Sequence, residues 1–236
     1  MYSVILPTVN EAENIPYVIE LIVQTFKQYD YEFEIIVVDD ASTDGTSDTV
    51  CNIQKLCPDY KIRLLERPSK LGLGTAYFEG FKLTKGKFII VMDADLSHHP
   101  KYILDMIRKQ KDTDADVVSC TRYSAGGGVS GWSLTRMVIS RMANLLIKFI
   151  FWPKLTDLTG SYRLYKRNAF EKLLGSVKCT GFGFQMEAAV LSEKKFKFNV
   201  EQVPIVFIER IYGNSKLSPG EIYKFLRTIA KIVCSI

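Results

Sequence analysis

The chain has 236 residues, 47% apolar and 24% charged, the ordinary composition of a globular protein with one sizeable core. Its net charge of +5 (31 basic against 26 acidic) is too diffuse for a nucleic-acid binder, and no zinc-finger, RNP or helix-turn-helix signature accompanies it. Five scattered cysteines (Cys51, Cys57, Cys120, Cys179, Cys234) without a Cys-x-x-Cys pair argue against a zinc site or disulfide framework and for a reducing compartment. No basic segment precedes Val4-Ile5-Leu6, and no apolar run reaches the roughly 18 residues of a bilayer span. Neither a signal peptide nor a transmembrane helix is expected.

Tyr2–Leu6 reads as a first buried strand, closed by Pro7-Thr8. Asn14 as N-cap and Pro16 in the first turn then start a helix with Ile15, Val18, Ile19, Ile22 and Phe26 as its apolar stripe. A second strand, Phe33–Val38, ends in Asp39-Asp40, and Ala41–Thr46 turns into a helix reaching Leu56. Ile62–Glu66 is a shorter third strand, Leu71–Ala76 opens a helix ending near Gly86, and Phe88–Met92 is the fourth strand. Strand and helix alternate over short connections, the signature of a right-handed parallel α/β sheet.

The fourth strand is an unbroken apolar run that stops at Asp93-Ala94-Asp95. A strand of that kind is buried on both faces of a parallel sheet, and charge at its end belongs at the C-terminal edge where α/β sheets bind ligands. Two carboxylates there suit a hard divalent cation that in turn holds a phosphate; the plain alternative is a solvated turn. Asp39-Asp40 would require that coincidence twice at one sheet edge. Gly72 and Gly74 make no dinucleotide fingerprint, because the third glycine position holds Tyr77 and the pair follows the third strand. They predict close packing and a tight loop, with Lys70 either within reach of a phosphate or sugar or simply solvated.

Ser97-His98-His99-Pro100 leads into a helix carrying Ile103, Met106 and Ile107, and the histidines, lacking a third ligand at metal spacing, read as loop residues. Asp116–Thr121 is a further strand ending at Arg122-Tyr123. The glycine-rich stretch 124–131 suits a mobile lid over an anionic ligand or a linker. Leu134–Trp152 predicts a helix with Leu134, Met137, Val138, Met142, Leu145, Leu146 and Phe149 toward the core, and Arg136, Ser140, Asn144 and Lys148 in a narrow polar line. Ile139, Ile147, Ile150, Phe151 and Trp152 widen the apolar face, which suits a helix lying on a membrane or a core helix in a thick domain. After the polar turn Asp157–Arg163, another helix begins near Gly181–Glu187, and Val200–Ile208 is a strand that Pro204 makes an edge or bulged one. It runs into Glu209-Arg210 and Gly213–Lys216; the capping box Ser218-Pro219-Gly220-Glu221 then opens a basic amphipathic helix. Its apolar side carries Ile222, Phe225, Leu226, Ile229, Val233 and Ile236, opposite Lys224, Arg227 and Lys231, a pattern suited to a membrane surface or partner helix.

Taken together, the segments Pro7–Asn14, Val38–Asp40, Lys70–Ala76, Met92–Pro100, Asp157–Arg163 and Phe184–Glu187 resemble the catalytic subunits of the dolichol-phosphate mannose synthases, over nearly the whole chain. These are inverting family 2 glycosyltransferases of GT-A fold, a mostly parallel Rossmann-like sheet with helices on both faces. The resemblance implies one domain over 1–236, with a nucleotide and metal half (1–123) and an acceptor half (124–236) whose interfacial helices lie near 134–152 and 219–236. It implies nucleotide-sugar contacts from Pro7, Asn10, Glu11, Asp39, Lys70, Asp93, Ala94, Asp95, Arg122, Arg210 and Lys216. Acceptor-phosphate contacts would come from Arg122, Ser133 and Arg136, and Mg²⁺ or Mn²⁺ would sit on Asp93 and Asp95. Ser97 stands where some relatives use a glutamine as a third metal contact; serine is the weaker ligand. The resemblance further implies GDP-mannose and dolichyl phosphate as substrates and small transmembrane partner subunits. It places the protein on the cytoplasmic face of the endoplasmic reticulum, serving protein glycosylation and GPI-anchor synthesis.

The residues and the resemblance agree on the chemistry. A lipid phosphate is largely dianionic at neutral pH and needs no strong general base. It does need cations to meet a diphosphate donor, and Asp95 with its metal, Arg122, Arg136, Arg210 and Lys216 form that catalytic set. Spacing does not separate GDP-mannose from UDP-glucose, and a phospho-acceptor or scaffold module is the alternative from another class.

Overall fold

The computed structural model describes residues 1–181, 183–210, 212 and 227–233. Among them, β1 (Tyr2–Thr8), α1 (Ile15–Lys27), β2 (Phe33–Asp39), α2 (Thr46–Leu56), β3 (Ile62–Glu66), α3 (Leu73–Leu83) and β4 (Phe88–Val91) alternate as the pattern predicts. The chain continues through α4 (Tyr102–Thr113), β5 (Val117–Thr121), β6 (Gly128–Ser130), α5 (Leu134–Phe151), β7 (Arg163–Lys166), α6 (Arg167–Leu174), α7 (Gly183–Lys194), β8 (Val200–Pro204) and β9 (Val206–Ile208). Seven strands form one sheet in the order β3-β2-β1-β4-β7-β5-β8. Every pairing in it is parallel except those of β7, which runs antiparallel to both β4 and β5.

Alternation along the strands divides the core into two layers. Val4, Leu6, Ile35, Val37 and Ile90 pack against α1 and α4, whereas Ile5, Ile36, Val38, Ile89 and Val91 pack against α3, α6 and α7. With helices on both faces, the central strands are apolar on both sides, which is why they read as continuous hydrophobic runs. One interruption is satisfied internally: Glu34 of β2 is buried, accepts the Ser3 hydroxyl at 2.6 Å and pairs with Arg63 at 2.7 Å.

Pro7 completes β1 instead of ending it. The Ile5 carbonyl accepts from Met92 on the β4 side and the Thr8 carbonyl from Asp40 on the β2 side. Alternation therefore points the donor that Pro7 lacks toward β4, whose pairing has already stopped at Val91. The chain order reverses direction between β1 and β4, so the crevice beyond their carboxyl ends is the topological switch point.

Four expectations change. Asn14 makes no side-chain cap; its Nδ2 donates to Glu11 Oε2 at 2.7 Å, because that neighbouring carboxylate is the stronger acceptor. The glycine-rich stretch is neither lid nor linker in its second half: β6 pairs in parallel with β9 as a small separate sheet. The single strand foreseen over Val200–Ile208 divides at Ile205, with Pro204 closing β8 at the edge of the main sheet and β9 crossing to β6. The fourth concerns α5.

Only Asn144 and Ile147 of α5 are buried, while Leu134, Val138, Met142, Leu145 and Phe149 face outward, Phe149 at 81% exposure. The polar line from Arg136 to Asn144 is the packed face, and Lys148 beyond it is exposed. Asn144 Oδ1 accepts the Leu158 N–H at 2.7 Å, its Nδ2 donates to Thr159 at 3.1 Å, and the Ser140 hydroxyl bonds Tyr123 at 2.6 Å. The 157–160 turn needs polar partners when buried, so the side of α5 that supplies them docks, and the apolar stripe is left outside. Ile147 joins Leu155, Leu158, Met186, Val190, Ile229 and Ile232 in a third cluster, which ties helical residues 227–233 onto α7. The capping box and residues 219–226 of that last helix lie outside the described residues. No helix among the described residues is long and apolar enough to cross a membrane.

Candidate active site

The loops after β1, β2 and β4 converge at the switch point, and each carries a non-glycine residue in the left-handed region: Asn10, Ala41 and Leu96 at φ 53°, 58° and 63°. Such backbone is held only where its surroundings over-determine it, as binding loops do. Asn10 is fixed by its Oδ1, which accepts the Thr43 N–H at 2.8 Å, and by its own N–H to Ser42 Oγ. Pro7, half-buried, precedes it on β1.

Asp39 ends β2 almost fully buried. Its carboxylate accepts from the Thr8 hydroxyl, the Ser42 N–H and hydroxyl, and the Ser47 hydroxyl. Asp40 faces the other way: it pairs with the buried Arg67 at 2.9 Å and accepts the Leu71 and Gly72 N–H groups. The second acidic pair is therefore one site-facing and one structural carboxylate. Asp40 anchors the loop that bears exposed Lys70. Gly72, at φ +96°, lets the Thr180 backbone approach so closely that a Cβ would lie 2.6 Å from its oxygen.

Beyond β4, Asp93 Oδ2 accepts the Ser161 hydroxyl at 2.9 Å, and the Asp93 N–H donates to His98 Nδ1 at 3.1 Å. His98 is buried, stacked on Tyr162 with ring centres 4.9 Å apart and edge-on to Phe207 at 5.3 Å. Burial lowers its pKa, consistent with a neutral ring accepting at Nδ1. It is thus a support of Asp93, more than the loop residue expected; His99, on the rim, accepts the Lys101 N–H. Burial, aided by the nearby charge of Asp95, raises the Asp93 carboxyl, with His98, Ser161 and Arg210 opposing.

Ala94 and Asp95 are buried. Asp95 Oδ1 takes both the N–H and the hydroxyl of Ser97, and Oδ2 takes Arg210 Nη2 at 2.8 Å. The Ser97 hydroxyl donates to Asp95 and so orients that carboxylate. No group of three acidic, histidine or cysteine side chains placed to hold a metal ion occurs among the described residues. Two carboxylates crowded at one strand end, one already drawing a guanidinium onto its outer oxygen, nevertheless fit a hard cation. Arg210 also reaches Glu11 Oε1 at 3.8 Å, bringing the first and fourth loops together. Lys216 lies outside the described residues.

On the acceptor side the arginines differ from expectation. Arg122 is buried and bidentate with Asp157 through Nε (2.6 Å) and Nη2 (2.8 Å), with a further bond to Thr159. The rings of Tyr123, Trp132 and Phe207 surround its guanidinium at 5.2, 5.3 and 5.5 Å. Its Nε and Nη2 are taken by Asp157 and Thr159, which makes it a post behind the site. Arg136 stands forward, over the Trp132 ring at 4.1 Å and paired with Glu209 at 2.6 Å. Ser133 caps α5 by accepting the Arg136 N–H, so Ser133, Arg136 and a helix N-terminus meet at one place. Ser161, His98, Asp157 and Glu209 were absent from the sequence-derived set; the first three lie inside its quoted motifs, and Glu209 is betrayed only by adjacency to Arg210. Glu187 accepts the N–H groups of Lys178 and Cys179, holding the loop against Gly72.

This fold is shared with solved glycosyltransferases at low identity. Glucosyl-3-phosphoglycerate synthase from Mycobacterium tuberculosis superposes with TM-score 0.69 at 19% identity, covering 100% of this chain and 79% of that one. Mannosyl-3-phosphoglycerate synthase from Rubrobacter xylanophilus gives 0.70 at 18%, covering 100% and 73%. The class is a GT-A-like α/β protein. Residues 3–174 match the family Glycosyl transferase family 2, and the chain belongs to it. Among relatives, polyprenol monophosphomannose synthase of Mycolicibacterium smegmatis is 36% identical over 97% of this chain and 85% of its own length. Undecaprenyl-phosphate mannosyltransferase of Micrococcus luteus is 35% identical over 92% and 87%. These are bacterial polyprenyl-phosphate enzymes, a broader setting than the dolichol-specific one the motifs suggested.

Proposed function

We propose that the protein transfers mannose from GDP-mannose to a polyprenyl phosphate, dolichyl phosphate in the finer form, with inversion at the anomeric carbon. The observation that carries it is the pair Glu209-Arg210, which connects the Asp95 carboxylate to Arg136 and Ser133 at the start of a helix whose outer face is apolar. The two mannosyltransferase relatives support the sugar and the lipid class. Residues 1–123 would hold nucleotide and diphosphate, and residues 124–236 the acceptor.

Asp93 and Asp95 would hold Mg²⁺ or Mn²⁺; solved fold relatives carry Mn²⁺. Such a cation, when bound, supplies Lewis-acid neutralisation of charge on the leaving diphosphate. Asp39, Asn10 and Glu11 line the nucleotide side, and Arg210 and Lys216 supply positive charge to the donor phosphates. Arg136, Ser133 and the α5 N-terminus orient the acceptor phosphate. One phosphate oxygen attacks the anomeric carbon as the bond to the diphosphate oxygen breaks; the α-linked donor becomes a β-linked mannosyl phosphate and GDP departs. No side chain has to remove a proton.

The outward stripe of α5, flanked by Arg141 and Lys148, would lie on the membrane from which the lipid phosphate is taken. Small transmembrane partners, a cytoplasmic-face location at the endoplasmic reticulum and roles in glycosylation and GPI-anchor synthesis complete the proposal. Incubation with dolichyl or undecaprenyl phosphate and labelled GDP-mannose or UDP-glucose, with and without EDTA, tests it. Label from GDP-mannose should enter the lipid phase and vanish with EDTA. Label from UDP-glucose alone, or none, would overturn it.

A further inference from the structure

The residues just after β9 carry opposite charges to opposite sides of the crevice. Both Glu209 oxygens lie on Arg136 Nη1, at 2.7 and 2.6 Å, so a carboxylate occupies the guanidinium that a phosphate monoester would use. The next residue, Arg210, places Nη2 on Asp95 Oδ2 at 2.8 Å, where a cation would otherwise be held. The backbone leading into them is tied on both sides: the Ile208 N–H donates to Ser97 O at 3.3 Å and the Glu209 N–H to Ser130 O at 2.9 Å. Gly131, at φ +84°, makes room for this strap, since a Cβ there would lie 2.8 Å from the Glu209 Cβ. Three consecutive residues thus link the Asp95 loop to the start of α5.

We propose that Glu209 stands in for the acceptor phosphate at Arg136 and, through Arg210 on Asp95, couples acceptor binding to cation and donor binding. This deepens the function proposed above and rests on its assignment of Arg136 to the acceptor. When Asp95 turns to a divalent cation, Arg210 leaves Asp95 and, still beside Glu11, turns toward the donor diphosphate. Its movement draws the adjoining Glu209 off Arg136. Arg136 stays in place over Trp132, now without a counter-anion, and its affinity for a phosphate monoester rises. Linkage makes the effect reciprocal: acceptor binding at Arg136 releases Glu209 and favours release of Arg210 from Asp95. Glu209 is a positioning residue in this scheme, touching the acceptor's arginine and not the reacting atoms.

The test uses the full chain and binding, not turnover. Calorimetric titration with farnesyl phosphate, below its aggregation threshold, is run with and without Mn²⁺ and GDP. For the unaltered protein, Mn²⁺ with GDP should tighten farnesyl phosphate binding by about fivefold or more. Glu209→Gln keeps the shape and removes the charge; it should bind tightly without Mn²⁺ and GDP and gain little from them. In a separate Mn²⁺ titration followed by electron paramagnetic resonance, without nucleotide, Arg210→Gln should bind Mn²⁺ more tightly than the unaltered protein. The same weak binding and the same gain in Glu209→Gln, with transfer intact, would overturn the coupling alone. Equal Mn²⁺ affinity in Arg210→Gln would overturn its donor half. No farnesyl phosphate binding by any of the proteins would overturn both the coupling and the acceptor assignment.

Discussion

Two buried aspartates at this site have different duties. Asp95 is held by Ser97 on one oxygen and by Arg210 on the other, all in the crevice. Asp95→Asn should keep the fold, measured as an unchanged melting temperature, yet lower transfer by about a hundredfold or more, because the lost charge is the one that would hold the proposed cation. Asp157 instead closes on Arg122 deep behind the site, with side chains 1% and 8% exposed. Arg122→Gln leaves that carboxylate buried and unpaired, at a cost of about 3–5 kcal/mol in denaturant unfolding. Near-normal stability in that variant would overturn the supporting role of the Arg122–Asp157 pair.

At the scale of elements, α5 is the helix whose faces were assigned the wrong way round. Ile147 is fully buried, so Ile147→Asp should unfold the local cluster instead of testing a membrane contact. Leu145→Asp and Phe149→Asp, both on the outer face, should weaken binding to liposomes containing anionic lipid while the melting temperature stays within about 2 °C. Unchanged liposome affinity would sink the membrane role. The loop before α7 offers a contrast. Glu187→Ala frees the N–H groups of Lys178 and Cys179 and should cost about 1–3 kcal/mol of stability, visible as faster amide exchange at those residues.

For the whole molecule, pH is a probe of the post behind the site. Burial pushes the Asp157 carboxyl up, but the charge and hydrogen bonds of Arg122 outweigh it and hold it below the ordinary range. A carboxyl depressed on folding contributes stability above its unfolded value, about 3.9, that is lost as pH falls toward its folded value. Unfolding free energy should therefore decline below about pH 4. Asp157→Asn, less stable at neutral pH, should show a shallower decline there.

Much of this architecture was legible in the chain. Runs such as Ile35–Val38 and Ile89–Val91, separated by helical patterns, define a parallel sheet because a strand covered on both faces must be apolar throughout. The carboxylates after Val38 and Met92 marked the crevice because charge at the end of such a strand has nowhere else to go. What folding alone settled was partnership. Asp39 and Asp40 read alike, yet one faces the crevice and one grips Arg67, since successive residues at a strand end point to opposite sides. Arg122 and Arg136 also read alike; their difference lies in Asp157 and Glu209, 35 and 73 residues away. The polar line of α5 resembled a solvent face until the 157–160 turn, needing hydrogen bonds, claimed it. Pattern reports how apolar a surface is, and only the packed chain shows which polar group is left to satisfy which.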